Sequence, residues 1–99
     1  MMYSGLVVQC LDKKEAEMLA LLEKLVNIDS GTYLRGGVNQ IASMIVPKLH
    51  DLGFEVERLP QPDFGDHLLA RKGGTSIKKL LCIGHMDTVF PEGEAERRP

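Results

Sequence analysis

Apolar side chains recur at helical spacing through Met18, Leu21, Leu22, Leu25 and Val26, with Glu17, Glu23 and Lys24 on the other side. Asp12, followed three residues later by Glu15, has the form of an N-terminal cap with an acid in the first turn. Asn27, Ile28, Asp29, Ser30 and Gly31 end this first helix in turn formers. A loop over 31–37 follows, carrying Thr32, Tyr33 and Arg35. Val38, Ile41, Ile45, Leu49 and Leu52 then keep the helical period, which predicts a second helix over 38–52 stopped by a left-handed Gly53. Pro47 lies inside it, where proline removes a hydrogen bond and costs about 3 kcal/mol or more. The period continues past Pro47, so a kink near 43–46 is expected instead of a break.

Beyond Gly53 the period shortens to two. Phe54, Val56 and Arg58 alternate with Glu55, Glu57 and Leu59, which predicts a short strand closed by Pro60 and Pro62. Residues 67–70 read as a second strand. Residues 79–83 read as a third, so continuously apolar that burial on both faces is expected. Gly73, Gly74, Thr75 and Ser76 make a loop between these two, which predicts that they form a hairpin or lie as near neighbours. Residues 1–11 are expected to be a loose N-terminal segment and 91–99 an exposed tail. The order ααβββ with a buried strand predicts an α/β layer. Only two helices are available to cover that strand, and an uncovered edge of this kind tends to associate.

Composition narrows the function classes. The 99 residues hold 12 basic and 14 acidic side chains, a formal net charge of −2, with 43% apolar and 26% charged residues. This is the composition of one small globular domain. It gives no reason to expect nucleic acid as a partner, which needs concentrated Lys and Arg. Arg71, Lys72, Lys78 and Lys79 do cluster, but without interleaved aromatic side chains to stack bases they read as a solvated turn. No apolar run is long enough to span a membrane, and the N-terminus lacks the basic start of a signal peptide. Cys10 and Cys82 form no CxxC pair, which points to a reducing compartment; a cytoplasmic location is expected.

The segment that invites chemistry runs from Gly84 to Val89, directly after the most apolar strand. Ligands in open α/β sheets gather beyond the carboxyl ends of strands. In extended chain His85 and Asp87 point the same way, because side chains alternate with period two. An imidazole that binds a metal generally donates its other ring N–H to a carboxylate or carbonyl, which fixes its tautomer. The pair alone is a weak pattern and more often marks a surface histidine bonded to its neighbour with no metal. His50, late in the second helix, is placed to interact with the helix dipole. His67 stands beside Asp66 and is a candidate to join His85. Cys82 reads as an apolar packer within the third strand, and Cys10 has no assigned role. Gly31 and Gly36 have the outline of a phosphate loop but lack the Lys and Ser or Thr that must follow.

Three strings carry a resemblance. Leu25-Val26-Asn27-Ile28-Asp29-Ser30-Gly31-Thr32, Leu52-Gly53-Phe54-Glu55-Val56 and Gly84-His85-Met86-Asp87-Thr88-Val89-Phe90-Pro91 occur in that order. Together they resemble the start of the zinc-dependent metallopeptidase family of glutamate carboxypeptidase, acetylornithine deacetylase and succinyl-diaminopimelate desuccinylase. The Asp-Ser-Gly-Thr and Val-Phe-Pro-Glu-Gly strings lean toward the glutamate carboxypeptidase branch. The resemblance implies that this chain is the N-terminal, incomplete part of a three-layer α/β/α catalytic domain. It implies a two-zinc site in which His85 is the first metal ligand and Asp87 the active-site carboxylate that orients it. It also implies N-acyl or peptide-like substrates with a free carboxylate, and a homodimer formed through a smaller domain.

The family's further metal ligands and the Glu-Glu pair that supplies its general base would lie beyond Pro99. Glu92, Glu94 and Glu96 follow the turn-forming Pro91 and read as a solvated tail, not as replacements. A catalytic zinc generally takes three protein ligands plus water. One ligand and an orienting acid therefore predict a chain inactive by itself. The competing expectation is a non-catalytic α/β binding or interaction module derived from such an enzyme.

Overall fold

Val38, Ile41 and Ala42 form the buried apolar core among the described residues, and the second helix supplies all three. In the computed structural model, which describes residues 2–98, the elements run α1 (Met2–Val26), α2 (Arg35–Asp51), β1 (Glu55–Leu59), β2 (His67–Arg71) and α3 (Glu94–Arg97). This is a mixed α/β arrangement in which α2 packs on an antiparallel hairpin of β1 and β2. The hairpin register pairs Glu55 with Arg71, Glu57 with Leu69 and Leu59 with His67.

The sequence signals for α2 act as expected at its end. Gly53 adopts φ 88°, its N–H donates to the His50 carbonyl at 2.9 Å, and the Phe54 N–H reaches the Leu49 carbonyl at 3.0 Å. That pair of bonds is the Schellman motif, and it turns the chain directly into β1. The helix runs unbroken through Pro47. At its start, Gly37 lies so close to the Asp29 carbonyl that a Cβ there would collide with the oxygen.

Arg58 fastens the hairpin to α2. Its Nε donates to Asp66 Oδ2 at 3.0 Å, Nη1 to Ser43 Oγ at 3.0 Å, and Nη2 to the Asn39 carbonyl at 3.4 Å. The Asp66 N–H in turn donates to Asn39 Oδ1 at 2.7 Å. One guanidinium thus joins the strand, the turn before β2 and two residues of the helix.

Four sequence expectations are corrected. The third strand does not form: 79–83 has no ladder partner, and Leu80, Leu81 and Ile83 are 90%, 79% and 84% exposed. A strand buried on both faces needs neighbours on its edges and layers above and below, and the described residues supply neither. Cys82 is accordingly exposed, not a core packer. The hairpin joins the first two predicted strands instead of the last two, because the turn between them is closed by the Arg58–Asp66 pair. Residues 2–11, expected to be loose, continue α1 ten residues ahead of the Asp12 cap, although residues 4–20 are all exposed. No helix among the described residues is long and apolar enough to cross a membrane.

Candidate functional site

Residues 84–89 leave the exposed stretch and meet the loop after α1. The Thr88 N–H donates to the Ser30 carbonyl at 2.8 Å, and the Thr32 N–H donates to the Thr88 carbonyl at 3.0 Å. These two bonds make a parallel bridge between Gly31 and Thr88, with Ser30 buried beneath it. The clamp brings the Asp87 side chain within reach of the Thr32 hydroxyl.

The side chains complete the contact. Thr32 Oγ1 donates to Asp87 Oδ2 at 2.7 Å, and the other carboxylate oxygen, Oδ1, lies 3.1 Å from His85 Nδ1. The Asp87 carboxyl is held below the usual carboxylate range, first by the Thr32 hydroxyl and then by the His85 hydrogen bond. The His85 side chain is 85% exposed, against 32% for Asp87. With Nδ1 turned to the carboxylate, Nε2 is the ring nitrogen left to meet a ligand. The two side chains lie on one side of the chain, as a spacing of two predicts, and they are in contact.

A metal at this position would find one imidazole nitrogen backed by a carboxylate, as for a single ligand of an open site. Among the described residues no group of three or more His, Cys, Asp or Glu side chains is assembled to hold a metal ion. His67 sits at the start of β2 opposite Leu59, and His50 lies in the last turn of α2; neither joins His85 in such a group.

The expected tail at 91–99 contains structure that sequence reasoning missed. The Asp29 carboxylate accepts the Gly93 N–H at 2.8 Å and the Ala95 N–H at 2.9 Å. The Ala95 bond, then the Gly93 bond, holds its carboxyl below the usual range. Glu94 is buried, and Arg97 donates to its two oxygens at 2.9 and 2.7 Å; Arg98 bonds it as well. The Arg97 bond is the main reason the Glu94 carboxyl lies below its ordinary range. Glu94 is therefore a structural anchor and not part of a solvated tail. Between this turn, α2 and the end of α1 lies a cavity of about 350 Å³, walled by Ile41, Ile45, Met86 and Phe90, with His85 at its edge.

Thr32 and Asp29 gave no chemical signal of their own in the sequence. Their only trace was the Asp-Ser-Gly-Thr string that carried the resemblance. No family model matches the chain, and no solved structure matches it. Carboxypeptidase G2 from Pseudomonas sp. (strain RS-16) is 32% identical over 93 residues, which cover 92% of this chain and 22% of that protein. The chain thus spans about a fifth of the length of the curated relative it matches. Its similarity to a carboxypeptidase agrees with the branch toward which the residue strings lean.

Proposed function

We propose that this chain is the opening part of the catalytic domain of a zinc-dependent amide hydrolase of the carboxypeptidase or deacylase type. Its substrates are peptide-like or N-acyl amino-acid compounds. The observation that carries this reading is the exposed His85 ring, bonded through Nδ1 to Asp87 with Nε2 left for a metal. The 32% identity to carboxypeptidase G2 supports it.

His85 holds the metal through Nε2. Asp87 accepts a hydrogen bond from Nδ1–H, fixes the ring tautomer and makes Nε2 a more basic ligand. When bound, zinc supplies Lewis-acid polarisation of the substrate carbonyl and a water acidic enough to react at neutral pH. The remaining ligands and the general base come from outside these residues, within a three-layer α/β/α domain that also covers 79–83. Homodimerisation and a cytoplasmic location belong to the same proposal. With one ligand in place of three, the 99-residue chain is inactive alone and binds zinc weakly. The competing reading, a complete non-catalytic module, is disfavoured by a buried apolar core of only Val38, Ile41 and Ala42 among the described residues.

Calorimetric titration of the chain with zinc chloride tests the metal assignment. Weak saturable binding that is lost in His85→Ala and kept in His67→Ala is expected. Binding indifferent to His85→Ala overturns the assignment. Hydrolysis of an N-acyl glutamate by the purified chain, abolished in His85→Ala, would overturn the predicted inactivity.

A further inference from the structure

An imidazole whose side chain is 85% exposed has no packing to orient it. Its ring position and tautomer depend on the one hydrogen bond it makes, to Asp87. Asp87 is itself one-third exposed, so its carboxylate is also free to turn toward water unless something holds it. Thr32 holds it.

The placement follows from the backbone clamp. The bridge sets Gly31 against Thr88, so by the two-residue alternation of extended chain Thr32 and Asp87 share the opposite side. The Thr32 hydroxyl has one proton and two acceptors in reach: Asp87 Oδ2 at 2.7 Å and the Thr88 carbonyl at 3.3 Å. The shorter contact, to a charged oxygen, takes the proton. With Oδ2 occupied, Oδ1 faces His85 Nδ1.

We propose that Thr32 is a positioning residue of the candidate site: its hydroxyl sets the Asp87 carboxylate, which holds His85 in the Nδ1–H tautomer that leaves Nε2 bare. The functional meaning rests on the reading of His85 as a metal ligand, but the geometric claim stands apart from it. A neutral histidine free in water favours the opposite tautomer, with the proton on Nε2, which cannot ligate through that nitrogen. A purely structural threonine would tie 30–32 to 88 without altering the ring.

The test is long-range nitrogen–proton NMR of the full chain carrying ring-labelled histidine, in metal-free buffer at about pH 8, where an ordinary imidazole is neutral. His85→Ala identifies the His85 signals among those of His50 and His67. Wild type is expected to show the Nδ1–H pattern at His85. Thr32→Val is expected to shift the tautomer ratio toward Nε2–H by roughly tenfold, the scale of a charge-assisted hydrogen bond. Thr32→Ser is expected to keep the wild-type pattern. Exchange of the Thr88 amide reports whether the backbone clamp survives. An unchanged ratio in Thr32→Val with the clamp intact overturns the proposal. Should Val open the clamp, Thr32→Ser decides: loss of the Nδ1–H pattern there overturns it. Failure of zinc to bind at His85 would refute the metal reading and leave the tautomer result untouched.

Discussion

Replacing Arg58 by methionine keeps the aliphatic stem and removes three donated hydrogen bonds at once. The bond to Asp66 is charge-assisted, and such bonds contribute about 1.5–3 kcal/mol when protected. The Arg58 side chain is 34% exposed while that of Asp66 is 13% exposed, so solvent screening brings this toward about 1 kcal/mol. The bonds to two neutral acceptors, Ser43 Oγ at 3.0 Å and the Asn39 carbonyl at 3.4 Å, together add roughly 1 kcal/mol more. The expected loss is therefore about 2 kcal/mol. With a urea slope of about 1–3 kcal/mol/M, the midpoint should fall by roughly 1 M, followed by far-ultraviolet circular dichroism. Asp66→Asn and the double variant complete a cycle, and the coupling between the two sites should be close to 1 kcal/mol. A coupling under about 0.3 kcal/mol, the level of independent sites, would show that the ion pair does not fasten the hairpin to α2.

Gly37→Ala, which in an exposed helix gains about 1 kcal/mol, should here destabilise the chain because the new methyl meets the Asp29 carbonyl. A raised melting temperature would refute that close approach. Acid should weaken the fold through Asp29 and Asp87, whose ordinary value is 3.8, and Glu94, at 4.5, all held lower in the folded state. A depressed folded value gives stability that is present above the unfolded value and lost as pH falls through the folded one. Melting temperatures should thus be level above about pH 5 and decline below pH 4; a level profile down to pH 2 would contradict the three assignments. Asp29→Ala removes the acceptor for two amides, so hydrogen exchange at Gly93 and Ala95 should accelerate while that in α2 stays unchanged.

The elements legible in the sequence were those whose causes are local. Gly53 ends α2 and Arg58 lies in a strand because each signal acts within a few residues. The His85–Asp87 contact was legible for the same reason: a spacing of two fixes a shared side. What escaped was set at long range. Thr32 reaches Asp87 across 55 positions, and Asp29 reaches Ala95 across 66, and nothing in a threonine or an aspartate announces such a partner. The third strand shows the converse. Leu80, Leu81 and Ile83 have the right side chains for a buried strand, but strand formation belongs to the neighbours, and the neighbours are absent from this arrangement. Likewise Asp12 has the right chemistry for a cap, yet nothing in residues 2–11 forces the helix to stop before it.

The exposed stretch at 77–83 also governs how the candidate site is held together. It carries Lys78 and Lys79 and makes no ladder with either half of the molecule. Thr32 lies on one side of it in the chain, His85 and Asp87 on the other, so the stretch is the tether across which the halves meet. A tethered segment of this kind sees its partner at an effective concentration of about millimolar. A single cut after Lys78 would release 79–99 to its bulk concentration, held among the described residues by bonds to Asp29, Ser30 and Thr32 and by the apolar cavity wall. An exposed stretch with no helix or strand of its own is thus what keeps the imidazole, its carboxylate and the threonine in one place.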